Sequence, residues 1–65
     1  MINKDFGSII SSKRKEHRLS QPQLAALMGE LGLDVKAHSI SKWEKNVNLP
    51  NVMQFFALCE ILKIT

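Results

Sequence analysis

The chain has 65 residues, 45% of them hydrophobic, with nine Lys and Arg against six Asp and Glu for a formal charge of +3. That is one domain near the lower size limit for a core-stabilised fold, too apolar to be a disordered tail. A lone cysteine, Cys59, rules out an internal disulfide and suits a reducing cytosol, and no apolar run approaches a membrane span.

No signal-peptide pattern follows Met1. The two histidines, His17 and His38, are far apart. No Cys/His/Asp/Glu grouping has metal-ligand spacing, and neither a phosphate-binding glycine loop nor a nucleophile elbow is present. The expectation is a protein that is not an enzyme, with no metal and no cofactor. The small positive excess is a mild bias toward polyanions, equally compatible with an idle solvated surface.

In chain order, the apolar spacing predicts four helices and no strands. The first spans about Asp5 to His17, with Phe6, Ile9 and Ile10 on one face and Asn3 or Asp5 as cap. Its end, "KRKEHR", is the densest positive charge in the chain: either cations complementing the helix dipole, or an edge facing phosphate. The second helix opens at Ser20, which forms a capping box with Gln23, and has Pro22 in its first turn. Leu24, Leu27, Met28 and Leu31 recur at i, i+3, i+4 and i+7, carrying the helix to Leu31 before Gly32 stops it.

The third helix runs from Val35 or Lys36 to Lys45. Ile40 and Trp43 form its inward face, leaving His38, Ser39, Ser41, Lys42 and Lys45 outside. Lys36 is a poor N-cap and Asp34 a good one two residues earlier. The fourth helix opens with Asn51 and Gln54 in a second capping box. Val52, Phe55, Phe56, Leu58, Cys59 and Leu62 give it a broad apolar face. Trp43, Phe55, Phe56 and Cys59 are all expected in the core.

In order, "RKEHRLSQPQLAALM", "ISKWEKN" and "LPNVMQFFALCEIL" resemble the phage-repressor-like helix-turn-helix domains of the Cro/xenobiotic-response-element type. The resemblance covers about Phe6 to Ile64. It implies an all-α, compact four-helix domain, or a five-helix one cut short, with residues 1–65 as a single helix-turn-helix unit. Helix three would enter the DNA major groove. Two features depart from the pattern. Ala25 lies fifteen positions before Ile40, roughly five more than the family spacing and added around "GELGL", where helix pairs of this kind usually turn within 3–4 residues. The sequence also stops where a fifth helix would start, so either it is the N-terminal piece of a longer regulator or the four-helix form dimerises by another surface.

The resemblance also assigns residues. Ala37, His38, Ser41 and Lys42 are the expected base-reading positions: a lysine can reach guanine O6 or N7, an alanine a thymine methyl. Arg14, Gln21, Ser39, Lys45, Asn46 and Asn48 are the expected phosphate contacts, with Asn46 standing where the family usually has glycine. Arg14 and Glu44 are expected to pair, tying helix one to helix three. The implied function is sequence-specific binding of double-stranded DNA by a cytoplasmic, nucleoid-associated transcriptional regulator, a repressor, acting as a homodimer on a palindromic operator. The competing reading is a protein–protein interaction module or antitoxin component with this fold, which would show an exposed apolar patch around Leu31, Leu33 and Val35.

Overall fold

The computed structural model describes residues 5–64. They form α1 (Phe6–Glu16), α2 (Gln21–Glu30), α3 (Ala37–Glu44) and α4 (Val52–Leu62), and among the described residues there is no strand. The four helices surround one core. Ile10, Leu24, Met28, Ile40, Leu58 and Leu62 are fully enclosed, and Ala25, Val35, Trp43 and Ala57 complete it. Each large member contributes about 1.5–3 kcal/mol relative to remaining exposed. No polar or charged residue among those described is buried, so the core carries no orphan polar group.

Local chemistry sets each helix start. Asp5 caps α1, its carboxylate accepting from the Ser8 N–H (3.3 Å); Asn3, the other candidate, lies outside the described residues. Ser20 and Gln23 form the expected reciprocal box on α2, and Asn51 and Gln54 the one on α4. α3 differs: Lys36 is its N-cap and supplies no side-chain acceptor. Asp34 does not cap it either, and its carboxylate sits 3.6 Å from Lys36 Nζ.

All four helices end in left-handed geometry, α4 at Lys63, where the Ile64 N–H donates to the Cys59 carbonyl. After α1, α2 and α3 the chain turns into left-handed geometry at Arg18, Gly32 and Asn46. Paired backbone bonds then close each end, such as Leu33 N–H to the Met28 carbonyl and Val47 N–H to the Lys42 carbonyl. Gly32 (φ 89°) stops α2 at the expected place, Leu31 serving as its C-cap. The segment 33–36 then runs toward α3 with Leu33 and Val35 directed inward and Asp34 and Lys36 outward. The apolar patch proposed around Leu31, Leu33 and Val35 is therefore absent: Val35 is core, Leu33 packs against it, and only Leu31 is exposed.

The largest correction concerns α4. Phe55 and Phe56, expected inside, are 39% and 60% exposed, and Val52 is 67% exposed. The buried stripe of α4 passes through Ala57, Leu58 and Leu62, and Phe55 and Phe56 fall outside it. Phe55 instead packs at the rim against Phe6 (ring centroids 5.7 Å apart), and Cys59 is half-buried.

Two glycine substitutions are expected to move stability in opposite directions. Gly29 sits inside α2, and a Cβ there would meet nothing within 4 Å, so Gly29→Ala should stabilise by about 0.5–1 kcal/mol. A Cβ at Gly7 would collide with the Glu44 carbonyl and lie 2.7 Å from the Trp43 oxygen, both backbone atoms that cannot swing away. Gly7→Ala should cost roughly 1–3 kcal/mol despite the better helix propensity. Urea midpoints of the two variants and the parent check both signs.

Candidate nucleic-acid interface

α3 packs against both α1 and α2, so its direction depends on what holds those contacts. Ile40 and Trp43 face the core. On the opposite side His38, Ser41, Lys42 and Lys45 follow the i, i+3, i+4, i+7 rule and form one outward row, in which His38 and Lys45 are exposed and Ser41 and Lys42 half-buried. Among the described residues, no hydrogen bond or ion pair within the domain uses any of these four side chains. Ala37 begins the helix beside this row and is half-buried; Ser39 is half-buried on its flank. Asn48 is exposed in the loop that follows. The expected base-reading residues thus share a face, with Lys45 at its C-terminal end.

Glu44, on the flank toward α1, is the meeting point of the domain's polar contacts. Arg14 Nε donates to its Oε2 (2.6 Å) and Nη2 to its Oε1 (3.2 Å), a two-pronged contact that fixes orientation. Arg14 Nη1 donates to the Leu19 carbonyl (2.7 Å), and Gln21 Nε2 donates to Glu44 Oε1 (3.1 Å). The Arg14 and Glu44 side chains are only 11% and 9% exposed. Arg14 therefore spends three of its five N–H donors inside the domain, and the Gln21 side chain also points inward, toward Glu44. Of the expected phosphate contacts, these two present little free side chain; Lys45 and Asn48 present the most.

Asn46 has a specific internal task. Its Oδ1 accepts from the Gly7 N–H (3.0 Å) and its Nδ2 donates to Asp5 Oδ1 (2.9 Å), fastening the end of α3 to the start of α1. The missing Cβ at Gly7 permits that approach. Sequence reasoning missed Asp5 and Gly7 as partners of this loop. The one available signal was a glycine in the first turn of an otherwise apolar helix face.

Charge on this side is one-signed once pairs are removed. Glu44 is matched by Arg14, and exposed Asp34 by Lys36, leaving Lys42 and Lys45 as the uncompensated charges along α3. No His, Cys, Asp or Glu cluster among the described residues could hold a metal ion, and no helix among them is long and apolar enough to cross a membrane.

Removing Glu44 leaves a nearly enclosed guanidinium without its counter-charge, so Glu44→Ala should cost roughly 3 kcal/mol. In a double-mutant cycle with Arg14→Ala, the two losses should fall short of additivity by about 1 kcal/mol or more. Additive losses would show that the pair carries no coupling.

A family model described as helix-turn-helix matches residues 10–65. No curated protein and no solved structure matches the chain. The matched family consists of sequence-specific DNA-binding regulators, and the all-α fold agrees with it. The chain belongs to the phage-repressor-like, Cro/C1-type helix-turn-helix family.

Proposed function

We propose that this domain is a transcriptional repressor whose α3 lies in the major groove of a palindromic operator, bound by a homodimer in the cytoplasm at the nucleoid. The observation that carries this reading is the outward row of α3, whose side chains the domain itself does not use. Ala37, His38, Ser41 and Lys42 then read base edges, while Ser39, Lys45 and Asn48 meet phosphates beside them. Arg14, Gln21 and Asn46 act at the phosphate boundary mainly by holding α1, α2 and the loop after α3 in place, a role supported by their internal bonds. The uncapped first turn of α3 is consistent with a helix whose N-terminal end approaches an anionic partner.

Catalysis has no place in this reading. The partner-module alternative draws support from the exposed apolar surface on α4, but it leaves the free polar row of α3 without a purpose.

Selection from random duplex DNA should recover a two-fold symmetric site. Binding to it should weaken linearly in log–log salt plots, and Lys45→Ala should reduce the slope by about 1. Lys42→Ala should cost about 1–3 kcal/mol on the selected site and relax preference at one base pair. Gln21→Ala should weaken all duplexes alike. Failure to select any sequence at low salt would eliminate base reading by α3.

A further inference from the structure

The exposed hydrophobic residues of the domain are concentrated on one face. Leu49, Val52, Met53 and Phe56 retain 60–70% of their surface, and Phe55 retains 39%. Val52 and Met53 precede Phe56 by four and three residues on α4, so the three share a side of the helix. Beside them an open groove of about 470 Å³ is lined by Phe6, Leu49, Val52, Phe55 and Phe56. The Phe55 and Phe56 rings stand 6.1 Å apart, so groove and ridge adjoin.

We propose that this face is where a second copy of the chain binds, the two copies related by a two-fold axis. Three observations select that occupant. First, the face can meet itself: it carries both a largely exposed ring, Phe56, and an apolar groove, and a two-fold interface uses the same patch on both copies. Second, none of the described residues that line it is charged, in a chain of net charge +3. Two like-charged copies meet there without opposing charges at the contact. Its one polar lining residue, Asn51, already has its Oδ1 committed to the Gln54 N–H.

Third, the area fits. Large apolar side chains at these exposures leave roughly 500 Å² of apolar surface per copy, at the upper end for a monomer's largest patch. Two such faces give roughly 1,000 Å², the threshold of a specific interface and the mark of a dimer that separates on dilution. Pairing also enlarges the core of a domain close to the minimum size.

The proposal deepens the homodimer within the function proposed above, naming its surface, and is tested apart from DNA. Sedimentation of the free chain over a concentration series should show a reversible monomer–dimer equilibrium. Phe56→Glu should weaken dimerisation at least tenfold, as should Val52→Glu, where a carboxylate at the helix start favours folding of α4. Leu31→Glu, at an exposed leucine elsewhere, should leave dimerisation unchanged. Circular dichroism at low concentration identifies any variant that fails to fold; if Phe56→Glu does, Val52→Glu decides. A parent chain that stays monomeric at every concentration overturns the proposal, and so does a folded charged variant that dimerises like the parent, including one held by a different partner surface. Binding of the parent to a random-sequence duplex is measured separately. A dimer that binds no duplex would sink the DNA reading and leave this interface standing, whereas a monomer that binds would do the reverse.

Discussion

The arrangement of this domain depends on one carboxylate. Glu44 receives Arg14 from α1 through two bonds and Gln21 from α2 through a third, while Arg14 also holds the Leu19 carbonyl between those helices. α3 is only eight residues long and presents just Ile40 and Trp43 to the core, a narrow footing that by itself permits rotation about the contact. The planar guanidinium adds direction. Because both charges are nearly enclosed, desolvation offsets much of their attraction, and the contact is better understood as geometric specification than as a large source of stability.

A second fastening works at the same end of α3. Asn46 adopts left-handed geometry and uses its side chain to reach Asp5 and Gly7 on α1. A glycine there would adopt the turn with less strain but would offer no amide, so the asparagine exchanges backbone ease for a tether. The start of α3 is held by apolar means instead. Leu33 and Val35 plug into the core just ahead of Lys36, doing for position what a capping side chain would do for the helix dipole. The residues of "GELGL" thus end α2 at Gly32 and deliver an anchored approach to α3.

Much of this was legible in the residues. Both capping boxes, the stop at Gly32 and the inward pair Ile40 and Trp43 follow from local rules that involve near neighbours only, and the structure contains each. The outward row of α3 follows from the same periodicity. Less legible was anything decided between helices. The Asn46 tether joins residues about forty positions apart, and no local pattern announces it. Phe55 and Phe56 were misplaced because helical periodicity identifies apolar residues without saying how many faces the rest of the fold can cover. α1 and α2 cover one side of α4, and Ala57, Leu58 and Leu62 occupy it. The surplus aromatic surface is what the proposed pairing would cover, and a single chain's periodicity does not separate such a surface from the core.

The two surfaces left unfilled by the fold are close in sequence. The polar row of α3 ends at Lys45, and exposed apolar residues begin at Val47 and continue through Leu49 to Phe56. In the intervening turn the Val47 N–H bonds the Lys42 carbonyl and the Asn46 side chain is tethered to α1. If copies pair through the α4 face, the turn between α3 and α4 passes the geometry of the pair to the two α3 helices. Half-site spacing would then be set by the short path from Phe56 to Lys45, and changes at Asn46 would alter preference for spacing before preference for base sequence.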